Sequence, residues 1–535
     1  MSDPTLTAPD EIAAAPRGVR RAVKILFALG GAFLVGLVLF VVWREMYGPP
    51  RFTISKETTY ITEPLRADGL PDYAAALDAM ASEGVTPENN AAVLYWQAFG
   101  PAEVDPALRA EFFAKLGMPV PPAAGDYIVT ESAFAAERDR LSAGSASAAP
   151  GGTTLDVLFE QMDRGDEPWL PADAPLLAEW IQRNEKPLAL IVEGTRRTHY
   201  YRPVIAPPDD GHSPLGNDTL LAVAQHSRGV ARLLSNRATQ RLAEGDVEGA
   251  KDDLIACHRL ARHIAQGASL IEWLVGVAID AMARHGDTVL AQRGGLSSAD
   301  ATEYRERLAD LPPFPPIADK FDRYERFFYL SVVLYVAHDG AEGLEFDQGA
   351  LPMSLVDWDV ALLEGNEFFD SLADAARAPT AADRRMRLDE LDRGLRQAAK
   401  DAAMPTRLVA DRSGLAADML LANFLPGHTV AVKSGERTLM ETDLVQLAFA
   451  LAAYRADQGE YAPALADLAP KYIAAVPDDL FSGKPLIYRP TEDGSGYLLY
   501  SVGQNEIDDG GRWIDDDPEG DDLVVRTPTP EAGTP

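Results

Sequence analysis

Residues Ile25 to Trp43 run without a single charged side chain, and no other feature restricts the chain so strongly. A helix over this run, at about 1.5 Å per residue, is about 28 Å long, close to the hydrocarbon thickness of a bilayer. Arg17, Arg20, Arg21 and Lys24 precede it, and Trp43-Arg44-Glu45 closes it. The run exceeds the apolar stretch of a cleaved signal and ends in bulky residues instead of a small-x-small site, so a retained anchor is expected. The excess of basic residues on its N-terminal side places Met1 in the cytoplasm and everything after Tyr47 outside. The expected location is the cell membrane, single-pass, with most of the chain extracytoplasmic.

Charge narrows the partners. With 82 acidic against 49 basic residues the chain carries a formal charge of −33. Such a field repels phosphate backbones, so nucleic acid is not expected, and it favours divalent cations or basic partners. The single cysteine, Cys257, excludes an intrachain disulfide framework; with Leu254 and Ala261 nearby it reads as a small buried residue on a helix.

Hydrophobic periodicity makes the long middle of the chain helical. Helices are expected over Pro71 to Ala81 and Thr86 to Phe99, the second with Thr86 as N-cap, and over Ala174 to Asn184 and Pro187 to Arg197. Gly48-Pro49-Pro50 breaks the anchor helix, and Phe52 to Ile61 reads as a short extended segment. The strongest periodicity lies in Leu220 to Ala243 and Val247 to Gln266, joined by Glu244-Gly245-Asp246, a turn that sets two helices antiparallel. This pair looks like one tetratricopeptide unit, but no second copy follows at a fixed period. A third helix covers Leu270 to Gln292, an aromatic-studded one Asp319 to Ala337, and charged helical sequence runs from Leu355 to Ala402. Leu415 to Leu425 is apolar, too short to span a bilayer, and stops at Pro426-Gly427.

The last hundred residues change character. Thr438 and Glu441 fit a capping box, Leu444, Leu447, Ala448 and Leu451 form an apolar face, and Gly459 fits a stop. Leu486 to Arg489 and Tyr497 to Val502 read as a hairpin, with Leu523 to Arg526 as a third strand. The expected fold class is mainly α: an irregular helical ectodomain after one transmembrane helix, then a small α+β domain. The boundaries are a tail over 1–21, the anchor over 22–46, the helical domain over 47–430, the α+β domain over 431–527 and a tail over 528–535.

Three stretches of this final domain resemble the C-terminal part of the major pseudopilins of type II secretion. They are Tyr454-Arg455-Ala456-Asp457-Gln458-Gly459-Glu460-Tyr461, Pro477-Asp478-Asp479-Leu480-Phe481-Ser482-Gly483-Lys484-Pro485, and Tyr500-Ser501-Val502-Gly503 before a loop rich in Asn, Asp and Gly. The resemblance covers about a sixth of the chain and implies a pseudopilin-like fold with a calcium-binding final loop. In pseudopilins the hydrophobic helix directly precedes this domain; here the anchor is almost four hundred residues upstream. A borrowed binding or scaffold module is therefore expected, not a pilus subunit.

The acidic loop offers hard oxygens of the kind calcium takes, and the candidate ligands are Asn505, Asp508, Asp509, Asp515, Asp517 and Asp522. Asp515, Asp517, Glu519 and Gly520 match places in an EF-hand loop, but Arg526 at the twelfth place excludes one. No phosphate-binding loop, zinc-protease helix, paired-Cys motif or nucleophile elbow occurs. His258 and His263 point about 140° apart on one helix, which suits no shared metal. The expectation is a membrane-anchored binding or scaffold protein with a protein partner. Its alternatives are an accessory component of a secretion or pilus-like assembly, and a tethered hydrolase with a site in the helical domain.

Overall fold

The computed structural model describes residues 51–142, 153–163, 167–206, 215, 218–339, 356–402, 411–422 and 425–527. The anchor expected over 25–43 and both tails lie outside these residues. Among the described residues no helix is long and apolar enough to cross a membrane. The fold is mainly helical, with one small antiparallel sheet near the C-terminus.

In chain order the helices are α1 (Tyr73–Ala81), α2 (Ala91–Phe99), α3 (Arg109–Lys115), α4 (Glu131–Ser142), α5 (Thr154–Met162), α6 (Pro175–Arg183), α7 (Glu185–Gly194), α8 (Asp218–Glu244), α9 (Val247–Gln266), α10 (Leu270–Arg293) and α11 (Ser298–Ala309). After them come α12 (Ile317–Lys320), a π-helical turn (Phe321–Glu325), α13 (Arg326–Asp339), α14 (Trp358–Ala376), α15 (Ala381–Ala402), α16 (Arg412–Leu421) and α17 (Leu425–Gln458). The strands are β1 (Ile487–Pro490), β2 (Tyr497–Ser501) and β3 (Leu523–Thr527), in the order β1-β2-β3, with Leu499 opposite Val525 and Tyr500 opposite Ile487.

Helices α9 and α10 hold the molecule together because each feeds several cores. Leu260 and Cys257 of α9 join Ile279 of α10 in a cluster with Trp96, Phe113 and Trp180. Leu270 reaches a second cluster built on Phe327, Phe369 and Leu421. Leu254 and Leu290 enter a third with Tyr304, Leu447, Phe449 and Leu499. That third cluster runs unbroken across residue 430, so the C-terminal sheet and the helical region share one core. Close approach of α9 and α10 depends on Gly276, where a Cβ would lie 2.5 Å from the Ala261 carbonyl oxygen.

Several local expectations are corrected. Thr86 does not open α2; Asn90 does, because its side-chain oxygen takes the amides of both Ala92 and Tyr201 while its amide group donates to the Tyr201 carbonyl. A cap that also joins a distant segment outcompetes a purely local one. Pro187 does not separate α6 from α7 but sits in the first turn of α7, where its missing N–H costs nothing. Residues 55–60 form turns instead of an extended segment. Pro426 lies in the first turn of α17, which is 34 residues long, so the helix of the last module starts well before Thr438. Thr438 donates its hydroxyl to the Ser434 carbonyl at 2.9 Å within that helix, and Glu441 is free for another task. Gly459, at φ +87°, does end it.

The turn from Pro477 to Pro485 is tied to the sheet by one buried carboxylate. Asp479 accepts from the amides of Phe481 at 2.8 Å and Val502 at 2.9 Å, linking the turn to the end of β2. This explains why an Asp followed by a tight Gly-containing turn stands there.

Candidate functional site

A polar chain runs through the middle of the protein from α9 to the C-terminal loop. His258 lies between two carboxylates: Nδ1 is 2.6 Å from Asp280 and Nε2 is 2.8 Å from Asp287. Burial opposes a charged imidazole, but Asp287 and Asp280 outweigh it and raise its pKa, so both nitrogens donate as an imidazolium. Tyr304 donates to the other oxygen of Asp287 at 2.6 Å. Arg262 donates to Asp280 at 2.7 Å, and Arg284 pairs with the second oxygen of Asp280. Despite burial, His258 and these arginines hold the Asp280 carboxyl far below its usual range.

Arg284 carries the chain outward. Its Nη2 donates to Glu441 of α17 at 2.7 Å, and the other oxygen of Glu441 accepts from Arg437 at 2.8 Å. The Arg437 guanidinium lies over the Trp513 ring, 4.3 Å from its centroid, and the indole N–H donates to Asp515 at 3.0 Å. Local sequence cannot show this relay, since its members sit on five separate elements. Each cation in it has a carboxylate or an aromatic face, as buried charge requires.

The outer half of the relay lines a groove of about 730 Å³ between α10, α17, β3 and the acidic loop. Its floor is one face of α10: Leu274, Val277 and Ala278 are half-buried and Ala281 is exposed, at spacings of three and four residues that keep them on one side. Leu444 and Val445 of α17 form one wall, and Val524 with Trp513 the other. Arg284, Arg437, Glu441 and Asp515 supply the polar rim. Arg284 Nε is buried and has no acceptor among the described residues, leaving one donor beside the cavity. Half of the lining residues are polar or charged, so the apolar floor is bordered by a strongly polar rim, and the volume falls in the range of small-ligand sites.

The sequence-derived cation ligands divide into two sets. Asn505, Asp509 and Asp522 come together: the Asn505 side chain donates to Asp509 at 3.2 Å, and the Asp509 amide reaches Asp522 at 3.3 Å. Asp522 is buried and also accepts from the Gly511 amide at 2.7 Å; burial raises its pKa against the pull of those amides. Asp509 accepts from the Asp521 amide at 2.9 Å, which lowers its own. Asp508 is drawn away to the Tyr500 hydroxyl at 2.8 Å, Asp515 to Trp513, and Asp517 faces solvent. Among the described residues no three His, Cys, Asp or Glu side chains stand together as metal ligands. The loop is organised by amide donors, and calcium binding stays a proposal that requires these contacts to be exchanged for the ion.

Comparison with known proteins adds no relative. No family model, curated protein or solved structure matches the chain. The functional reading therefore rests on the site itself.

His263 illustrates why the two α9 histidines do not act together. It receives the Tyr95 hydroxyl at 2.7 Å and donates to the Arg197 carbonyl at 2.9 Å, on the opposite side of the helix from Asp280. Of the aromatic and cationic cluster at 196–202, Tyr200 and Tyr201 are buried, and Arg202 pairs with buried Glu272 at 3.0 Å. What sequence reading missed is the α10 face. Leu274, Val277, Ala278 and Ala281 show helical spacing, but nothing local distinguishes an uncovered apolar face from a covered one.

Proposed function

We propose that this protein is a membrane-tethered, extracytoplasmic binding protein whose ligand occupies the groove between α10, α17 and β3. The observation that carries the reading is the uncovered apolar face of α10, set opposite a C-terminal module that supplies the other wall and a polar rim. The long core shared by α10, α11, α17 and the sheet gives the groove rigid sides, which suits binding with little ordering cost. The anchor at 25–43 would hold the groove on the outer side of the membrane, where the acidic surface selects basic or neutral ligands.

The lone native thiol, Cys257, is fully buried, so a cysteine introduced at Ala281 becomes the sole accessible one. Ala281→Cys in intact spheroplasts is expected to react with a membrane-impermeant maleimide. Labelling only after permeabilisation would place the groove on the wrong side and overturn the reading.

A further inference from the structure

The groove has a feature that selects the shape of its ligand. Val524, Val525 and Arg526 all line it, although side chains of successive strand residues point to opposite faces. A cavity that opens onto the edge of a strand meets consecutive residues in this way. The sheet order leaves β3 at an edge, and the Arg526 carbonyl points away from β2, accepting from Gln292 of α10 at 3.2 Å. Because backbone direction repeats every second residue, the N–H and C=O of Val524 point the same way, into the groove.

Resting on the binding reading above, we propose that the ligand is an extended peptide of alternating apolar and basic residues that adds a strand to β3. Such a strand repeats the alternation of β3 itself. Leu523 and Val525 point into the core shared with α17, while Arg526 lies on the other face and pairs with Asp516 at 2.8 Å. An incoming strand places its apolar side chains against Val277 and Val445 and its basic ones on the loop side. There Asp515 lines the groove and Asp517 and Glu519 are exposed on the same loop, while the arginines that also line it, Arg284, Arg437 and Arg526, are already paired with Glu441 and Asp516. Its backbone takes the edge groups of Val524 and replaces the Gln292 amide on the Arg526 carbonyl. Main-chain pairing supplies affinity and the alternating pockets supply selectivity.

The test uses the full chain in zwitterionic lipid nanodiscs and a fluorescein-labelled heptapeptide of alternating lysine and valine. Binding read by anisotropy is expected for this peptide and not for its glutamate–valine counterpart. Val524→Pro removes the edge N–H without touching the β2–β3 ladder and is expected to weaken binding roughly tenfold. A peptide N-methylated at alternate amides should fail on the unchanged protein, which keeps the test valid if the proline variant misfolds. Asp515→Asn with Asp517→Asn should weaken binding and reduce its salt dependence. Equal binding of the lysine and glutamate peptides, or full binding of the N-methylated one, overturns the proposal. If an apolar fluorophore attached at position 281 reports a sheltered groove but the lysine–valine peptide does not bind, the peptide proposal fails and the binding reading stands. If the fluorophore reports open water, both fail.

Discussion

Arg284 of α10 and Glu441 of α17, 157 residues apart in the chain, meet at 2.7 Å where the helical region and the C-terminal module join. Arg284 is 5% exposed, and its other arm pairs with Asp280, so it connects the buried histidine centre to the groove rim. Removing one partner of such a pair strands the other without its counterion. Arg284→Ala is expected to lower unfolding free energy by about 3 kcal/mol, measured by chemical denaturation. A double cycle with Glu441→Ala should show coupling of about 1 kcal/mol or more between the two sites. Additive effects would mean the contact contributes nothing.

The two histidines of α9 should give pH responses of opposite sign. His258 has a raised pKa in the fold, so its contribution is complete below the unfolded value of about 6.5 and is lost as pH rises through the folded value. His263 is held neutral: burial pushes its pKa down to about 4, against the Arg197 carbonyl. Its contribution, about 3 kcal/mol, is present above pH ~6.5 and is lost as pH falls toward 4. His258→Gln should flatten the stability profile on the alkaline side, and His263→Gln on the acid side. Melting curves across pH for the two variants check this.

Gly276 should tolerate no side chain. An added Cβ meets the Ala261 carbonyl at 2.5 Å and the Ala265 methyl at 2.7 Å, and backbone cannot step aside as a flexible side chain can. Gly276→Ala is expected to destabilise by about 1–3 kcal/mol despite the better helix propensity of alanine. Gly394→Ala, on an open stretch of α15, is the matched control and should be neutral or slightly stabilising.

Calcium should tighten the acidic loop. Gly511, Asp521 and Asp509 already supply amide donors to Asp522 and Asp509. If the proposed ion binds, melting temperature and protection from loop proteolysis are expected to be higher in millimolar calcium than in EDTA, and equal values would show that the amide donors alone organise the loop. A calcium-dependent rise would show that Asp508 and Asp515 leave Tyr500 and Trp513 to coordinate the ion.

What could be read from the sequence follows the range of the interactions involved. The α8–α9 hairpin was legible because Ala250 and Leu254 repeat at helical spacing and Gly245 marks the turn. The strands were legible within a residue or two because Tyr497 to Ser501 is apolar between Gly-rich loops. Thr86 and Thr438 misled because each fits a local cap, while the real assignments were decided by Tyr201, a hundred residues away, and by the continuation of α17 from Leu425. The relay from His258 to Trp513 was invisible for the same reason: Asp280–Arg284 and Arg437–Glu441 are ordinary i,i+4 pairs, and only contacts between distant elements join them into one chain. Of the loop residues chosen for their chemistry, the fold gathers Asn505, Asp509 and Asp522 and uses Asp508 and Asp515 elsewhere.

The central claim is that the face of α10 at Ala281 belongs to a sheltered apolar site. Acrylodan attached to Ala281→Cys in the full chain, with Cys257 buried and unreactive, reads this directly. Its emission is expected to be blue-shifted relative to the same label on Met386→Cys, a 60% exposed position on α15, and to shift further when the lysine–valine peptide is added. Identical, water-like emission at both positions would contradict the account.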